Sequence, residues 1–322
     1  MDSVLKTNNV GNFSENTILA YKKDLKYFWG YALFRHDIKK STYPVPIELI
    51  ESFVEDHVEG LPPELDRIMV DFGFKARLGN FRVGTMNHRL NAISYAHRMN
   101  NVNPFQKSDK IKNLLYLARR DELKSGLRPR KAKPITGQLL EKMLANIDPR
   151  SLQGKRARAI LKFGFYTGGR RRSEIAEARF IFLDEHKGGF FYLLHRSKTD
   201  QIGNGRTLFL RRKHAQPLKS WIKAANISDG YLFRQIDRSG NITEKPINDA
   251  LVGRIIKEFV ETCGKDPVNY SAHSLRHGFI THCGQLNVNV FDTMALSGHK
   301  DLRTVQSYYS AGNIERNPAT KI

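Results

Sequence analysis

A short proline-containing stretch divides this chain of 322 residues. Residues 124–134 read Lys-Ser-Gly-Leu-Arg-Pro-Arg-Lys-Ala-Lys-Pro and hold five basic residues, two prolines, one glycine and no acid. Proline cannot donate a backbone hydrogen bond and glycine weakens helices, so this composition favours an extended linker. The sequence therefore predicts a first domain at residues 1–123, a basic linker at 124–134 and a second domain at 135–322.

The first domain has the apolar spacing of amphipathic helices. One helical segment begins after Ser14, and its apolar residues recur at intervals of three and four from Ile18 to Phe28. A second segment runs from about residue 85 to 99, and its polar side holds Thr85, His88 and Arg89. A third covers residues 111–123. We therefore expect the first domain to be a helical bundle with basic faces.

The second domain mixes helices with a short sheet. Helical patterns begin at Thr136 and cover residues 157–166. Two strand-like runs, residues 189–194 and 206–210, then flank a turn-rich segment, which predicts an antiparallel hairpin. From His214 onward the pattern is again mostly helical. The predicted fold class is mainly α, with a helical first domain and a mixed α+β second domain that contains a small antiparallel sheet.

The charge balance indicates a polyanionic partner. The formal charge is +21, and basic residues are spread along the whole length, which favours a nucleic acid over a membrane patch. In the linker, Arg128, Arg130 and Lys131 are candidate contacts to the DNA backbone. The two cysteines form no Cys-x-x-Cys pair, which argues against structural zinc and a disulfide framework.

The amino terminus and the apolar runs bear on the cellular location. The first residues lack the apolar core of a signal peptide, and no apolar run approaches the ~18 residues needed to cross a bilayer. We therefore expect a cytoplasmic, DNA-associated protein without a membrane partner.

Side chains suited to phosphodiester chemistry gather in segments 167–174, 196–200, 272–278 and 298–309. Breaking a phosphodiester without a metal requires cations on the non-bridging oxygens, a nucleophile, and a proton for the departing 5′ oxygen. Arg171 and Glu174 are three residues apart, so on a helix the carboxylate can hold the guanidinium in place. His273 and Arg276 share a helical face for the same reason.

Two adjacent tyrosines compete for the role of nucleophile. If residues 301–309 are helical, Leu302, Val305 and Tyr309 form one apolar stripe, and Tyr309 belongs to the core. Tyr308 is offset by about 100° and is free to face a site. The helical pattern therefore favours Tyr308.

The order of these segments resembles the tyrosine recombinase (phage integrase) family, and both halves of the chain resemble the two-domain recombinases of the Cre type. The family pattern Thr-Gly-x-Arg-x-Ser-Glu appears here with one extra residue between Gly168 and Ser173. Counting forward selects Arg170, and counting back from Ser173 selects Arg171, which we prefer because that side fixes the position on the helix. The spacing from His299 selects Tyr308.

The resemblance implies a role for each site residue. Tyr308 would attack the scissile phosphate, while Arg171, Arg276 and His299 hold its oxygens. His273 would manage the tyrosine proton, and Lys198, in the predicted hairpin, would protonate the leaving 5′ oxygen. The resemblance implies no metal and no cofactor.

The resemblance also implies partners and a reaction. The chain would be a site-specific DNA recombinase that acts as a homotetramer on a double-stranded recombination site. Strand exchange would proceed through a Holliday junction, and an accessory directionality factor would be a further partner. The helix with Thr85, His88 and Arg89 would enter the major groove. Two alternatives stay open: DNA relaxation of the type IB topoisomerase kind, and a DNA-binding factor without catalysis.

Overall fold

The computed structural model describes residue 13 and residues 15–127, 131–195 and 205–314. The chain divides into two units, Met1–Pro129 and Arg130–Ile322, and each has its own apolar core. The division falls inside the stretch that the sequence predicts to be a linker.

The secondary structure described for the first unit is helical. Within residues 15–127 the helices are α1 (Glu15–His36), α2 (Ile47–Glu59), α3 (Pro63–Asp71), α4 (Val83–Met99) and α5 (Asp109–Lys124). Helix α1 packs on α4, and α2 packs on α5. The core between them is aromatic, with Phe28 and Phe53 fully buried and their rings 5.1 Å apart.

The second unit combines further helices with two small sheets. Its described helices are α6 (Gly137–Ala145), α7 (Leu152–Tyr166), α8 (Arg172–Ala176), α9 (Arg212–Ala224), α10 (Ala250–Glu261), α11 (His273–Gln285), α12 (Val290–Ser297) and α13 (Leu302–Asn313). Its described strands are β1 (Leu183–His186), β2 (Gly189–Leu194), β3 (Arg206–Arg211), β4 (Arg234–Ile236) and β5 (Ile242–Pro246).

The predicted hairpin is confirmed as the pair β2–β3. The two strands are antiparallel, with Tyr192 opposite Leu208 and Leu194 opposite Arg206. Strand β1 extends this sheet on the other side of β2, and β4 pairs with β5 in a separate two-stranded sheet. The predicted fold class, mainly α with a small antiparallel sheet in the second domain, is therefore confirmed, and the structure adds strands that the sequence pattern did not predict.

Two glycines let α11 and α13 pack closely. A Cβ atom on Gly312 would lie 2.0 Å from the Thr281 carbonyl oxygen, and one on Gly284 would lie 2.2 Å from that of Tyr309. Because glycine has no side chain, the backbones of the two helices can come into contact at both positions. This packing places the Tyr308 ring of α13 against the His277 ring of α11.

Candidate active site

The turn after α7 and the start of α8 place Arg171 beside Glu174. The Glu174 carboxylate accepts one hydrogen bond from the Arg171 backbone N–H at 3.0 Å and a second from Arg171 Nη1 at 2.6 Å. Burial alone would raise the pKa of Glu174, but the charges of Arg170 and Arg171 hold that pKa below its ordinary value. Glu174 is therefore an ionised, buried brace for Arg171.

The structure separates Arg170 from Arg171, the two candidates that motif counting leaves adjacent. The Arg170 side chain is 1% exposed, whereas that of Arg171 is 21% exposed. Arg170 Nη2 donates to the carbonyl oxygens of Leu296 at 2.7 Å and Ser297 at 3.2 Å. Arg171 is thus the arginine of this pair that keeps a solvent-accessible guanidinium.

Helix α11 brings Arg276 to His299, which lies in the turn before α13. Arg276 Nε lies 3.2 Å from His299 Nε2, and Arg276 Nη2 lies 3.3 Å from His299 Nδ1. Arg276 Nη1 donates to the Gly169 carbonyl oxygen at 3.1 Å, and Ser297 Oγ lies 2.8 Å from His299 Nδ1. Arg276 therefore connects the turn before α8 with the imidazole ring of His299.

The pKa values in this cluster show an excess of positive over negative charge. Burial, together with the charges of the neighbouring Arg171 and Arg206, lowers the pKa of Arg276 to about 10. Burial, followed by the charge of Arg276, lowers the pKa of His299 to about 4, so its imidazole is neutral near pH 7. An anion bound here would relieve the repulsion among the guanidinium groups.

Tyr308 lies beside this cluster and contacts it through a histidine. Its ring stacks on that of His277, with 3.9 Å between ring centroids and 14° between planes, and Lys131 Nζ lies 5.5 Å from the Tyr308 ring centroid. Burial raises the pKa of Tyr308. By contrast, the hydroxyl of the neighbouring Tyr309 donates a hydrogen bond to the Val288 carbonyl oxygen.

Of the two remaining predicted catalytic residues, His273 lies among the described residues and Lys198 does not. The His273 ring lies 6.1 Å from the His277 ring, which places His273 at the edge of the cluster. Lys198 lies outside the described residues, as do Arg128 and Arg130 of the linker.

Two residues of the cluster have no predicted role in the sequence. His277 follows Arg276 directly, but its contact with Tyr308 depends on the packing of α13. Arg206 begins β3, and its Nη1 donates to the Ala295 carbonyl oxygen at 2.8 Å. A basic residue at the start of a strand gives no local signal for a contact with a helix about 90 residues later.

Of the residues predicted to enter a DNA groove, Arg89 is buried, which contradicts that prediction. Its guanidinium carbon lies 3.4 Å from the ring centroid of Tyr27 and 3.9 Å from that of Phe81. The planar guanidinium stacks on these aromatic faces, and the residue is only 8% exposed. Helix α4 therefore turns Arg89 toward the core of the first unit.

The two other groove candidates stay accessible. The His88 side chain is 51% exposed, and its Nδ1 lies 2.5 Å from the Asp24 carboxylate. Thr85 is half-buried near the start of α4. Both remain candidates for DNA contacts.

The described residues offer neither a metal site nor a membrane-spanning helix. Within the described ranges, His, Cys, Asp and Glu side chains do not gather in threes that could hold a metal ion. None of the described helices combines the length and apolar character that crossing a bilayer requires.

Comparison with known proteins shows the family to which this chain belongs. The sequence profile of the Phage integrase family matches residues 133–313, which include the whole candidate site. The chain therefore belongs to the phage integrase family, as its sequence motifs predict.

The relatives match different shares of the chain. An integrase/recombinase XerD homologue of Selenomonas ruminantium is 26% identical over 312 residues, which are 95% of this chain and 84% of that protein. The tyrosine recombinase XerC of Pseudomonas entomophila is 31% identical over 159 residues, or 48% of each chain.

Solved structures agree on the fold. The XerH site-specific recombinase, in a post-cleavage complex with its difH substrate, has a TM-score of 0.61 at 16% identity and covers 99% of this chain and 91% of its own. A lambda integrase dimer bound to a core site has a TM-score of 0.56 at 13% identity and covers 94% and 91%. The family match and the recombinase relatives support site-specific recombination by a tyrosine recombinase, whereas neither topoisomerase-like relaxation nor binding without catalysis is supported.

Proposed function

We propose that this protein cleaves and rejoins duplex DNA at a specific site through a 3′-phosphotyrosyl intermediate and exchanges strands by way of a Holliday junction. The observation that carries the proposal is the convergence of Arg276 and His299 beside the braced guanidinium of Arg171. Such a group of preorganised donors stabilises the charge that develops on a phosphate during cleavage.

Arg171, Arg276 and His299 are proposed to bind the scissile phosphate. Arginine can donate two parallel hydrogen bonds to phosphate oxygens, so the two guanidinium groups are suited to hold both non-bridging oxygens. Glu174 keeps Arg171 in place but leaves the cluster with excess positive charge, because arginines outnumber it. The phosphate would supply the missing negative charge.

Tyr308 is the proposed nucleophile. Its oxygen would form a bond to phosphorus as the bond from phosphorus to the 5′ oxygen breaks. The phenol proton would pass toward His273, and the leaving 5′ oxygen would take a proton from Lys198, the proposed general acid. The bond energy is kept in the phosphotyrosine, so a 5′ hydroxyl of another strand can reverse the step without ATP.

The assembly on DNA is also a proposal. Four protomers would bind one pair of sites, and an accessory factor would set the direction of the reaction. Thr85 and His88 on α4 and Lys131 in the linker would contact the duplex, together with Arg128 and Arg130. In the cell the protein would be associated with the nucleoid.

A plasmid assay distinguishes recombination from relaxation. A preferred site is first selected from a random duplex library by binding to the protein, and two copies are placed in one supercoiled plasmid. A recombinase yields two circles or an inversion, depending on site orientation, in the absence of metal and ATP. Relaxed plasmid without exchanged strands, equally with and without the site, would contradict the proposal.

A further inference from the structure

Helix α12 ends at Ser297, two residues before His299, and the carbonyl groups of its last turn face two arginines. Helix ends leave their final carbonyl oxygens without partners inside the helix. Here Arg170 Nη2 donates to the carbonyl oxygens of Leu296 and Ser297, and Arg206 Nη1 donates to that of Ala295. Three consecutive carbonyls at the end of α12 are therefore bound by guanidinium groups.

Arg170 links this helix end to the turn that precedes Arg171. The same Nη2 atom lies 3.1 Å from the Gly168 carbonyl oxygen, and Nη1 lies 3.6 Å from the Glu174 carboxylate. Counted back from Ser173, Arg170 occupies the variable position of the family motif directly before Arg171. The Arg170 side chain is buried, and its guanidinium lies at the C-terminus of α12. A cation is favourable there because the helix dipole is negative at that end.

Arg206 lies against the residue that ends α12. Gly298 has a φ of +75°, in the left-handed region, and its N–H donates to the Met294 carbonyl oxygen at 2.7 Å. A Cβ atom on Gly298 would lie 2.4 Å from Arg206 Nη1 and 2.6 Å from Arg206 Nη2. Glycine is thus required here by its backbone conformation and by the position of the arginine.

The segment held by the two arginines carries part of the candidate site. Ser297 and His299 both lie on it, and the Ser297 hydroxyl contacts the His299 ring that Arg276 contacts from α11. Arg170 and Arg206 repel Arg276 and each other, as the direction of the Arg170 and Arg276 pKa values shows. Both arginines nevertheless stay at the helix end, where they donate hydrogen bonds to its carbonyl oxygens. Groups that fix the end of α12 in this way also fix the position of His299, which follows it.

We propose that Arg170 and Arg206 are positioning residues, which bind the C-terminal carbonyls of α12 and so hold His299 against Arg276 in the phosphate-binding geometry. This inference rests on the proposed function for its catalytic consequence. Its structural part, the place of His299, can be measured in the DNA-free protein.

The test displaces the Arg206 guanidinium without removing its charge. Gly298→Ala puts a methyl group where that guanidinium lies. Gly264→Ala is the matched control, because Gly264 has a φ of +70° and nothing within 4 Å of its added Cβ. Both variants carry the same backbone strain, and only the first affects the arginine. Arg206→Lys and Arg170→Lys are second variants that keep the charge and lose the planar guanidinium.

The first readout is the titration of His299 by NMR in histidine-labelled protein, with the signal assigned through His299→Gln. In Gly298→Ala and in both lysine variants the imidazole leaves Arg276 and gains water, so its pKa rises by about one pH unit or more toward 6.5. Gly264→Ala leaves it unchanged. An unchanged His299 pKa in folded Gly298→Ala and both lysine variants would overturn the inference.

The second readout is the rate of covalent attachment to nicked DNA, which should fall by about tenfold to a hundredfold in Gly298→Ala relative to Gly264→Ala. DNA affinity of the two variants should agree. If wild type forms no adduct, the proposed function fails, while the titration still decides where His299 lies. If wild type forms an adduct and Gly298→Ala forms it equally fast, the positioning role is contradicted.

Discussion

At the scale of single residues, the site depends on one buried carboxylate among several arginines. Glu174 accepts two hydrogen bonds from Arg171 and lies 3.6 Å from Arg170. Without it, two guanidinium groups would lose their counter-charge in a place with little water. The site therefore needs Glu174 for its stability before any DNA is bound.

Replacing Glu174 with Gln tests this dependence. Because removing one partner of a buried ion pair leaves uncompensated charge, the free energy of unfolding should fall by about 3 kcal/mol in urea denaturation. Glu177→Gln is the control, since Glu177 is exposed one turn later and its change should be within about 0.5 kcal/mol of wild type. Equal stability of the two variants would argue against the role of Glu174 as a brace.

The contact of His277 with Tyr308 is a second feature at this scale. Aromatic stacking contributes about 1 kcal/mol beyond burial, so the imidazole should limit the motion of the tyrosine ring. We expect His277→Phe to keep the rate of covalent attachment within about twofold of wild type and His277→Ala to slow it by about fivefold. Single-turnover kinetics on nicked DNA measures both. Loss of activity in His277→Phe as well would show that the imidazole itself takes part in the chemistry.

At the scale of elements, a hydrogen bond between the Tyr27 hydroxyl and the neutral imidazole of His57 links helices α1 and α2. His57 Nδ1 donates to the Phe53 carbonyl oxygen at 2.6 Å, so Nε2 carries the lone pair that accepts from the Tyr27 hydroxyl, also at 2.6 Å. Burial lowers the pKa of His57 to about 4, and the charges of Arg89 and Lys75 act in the same direction. The folded first unit therefore resists protonation of this ring.

This arrangement predicts acid sensitivity of the first unit. Between pH 6.5 and 4 the unfolded chain binds a proton at His57 that the folded chain does not, so stability is present above this range and is lost as pH falls through it. By pH 5 the loss is about 2 kcal/mol relative to pH 7. Urea denaturation at both pH values measures it, and the loss should be smaller by about this amount in His57→Gln, in which only other groups such as His97 still take up protons.

The tryptophans allow this measurement to be made on one unit. The chain has two, Trp29 in the first unit and Trp221 in the second, and both are buried. In a Trp221→Phe background, fluorescence reports the first unit alone. A first unit whose stability is the same at pH 5 and pH 7 would contradict the assignment of a neutral His57.

The elements also show which parts of the fold the sequence could predict. Strands β2 and β3 have strong alternating or apolar patterns, and both were predicted to within one residue at their ends. Strands β1, β4 and β5 are short and polar, with sequences such as Arg-Gln-Ile, so hydrophobic periodicity gives no signal for them. Their pairing depends on neighbouring chain segments.

The same distinction applies to the site. Arg171 with Glu174 and His273 with Arg276 are pairs at helical spacing, so their proximity follows from local geometry. The helical pattern put Arg89 on the polar side of its helix. Its burial could not be predicted, because it depends on the rings of Tyr27 and Phe81, which come from other segments. The contacts of Arg206 depend on tertiary packing for the same reason.

At the scale of the whole molecule, the dominant property is the charge of +21. Each phosphate that a protein neutralises releases condensed counterions, and proteins with six to ten such contacts lose about 10³ to 10⁵ in affinity between 50 and 200 mM salt. We expect binding to a labelled non-specific duplex, followed by fluorescence anisotropy, to weaken at least about a thousandfold over that range. A loss below about tenfold would show that the basic residues do not contact the DNA backbone.

The central claim is that Tyr308 attacks DNA, and covalent trapping on a nicked duplex carrying a selected site tests it most directly. Wild type, Tyr308→Phe and Tyr309→Phe are incubated with the duplex without metal, and adducts are resolved on a denaturing gel. We predict an adduct for wild type, mapped by mass spectrometry to residue 308, and for Tyr309→Phe if its core packing survives. Tyr308→Phe should bind the duplex without forming an adduct. An adduct that persists in Tyr308→Phe would contradict the assignment of the nucleophile.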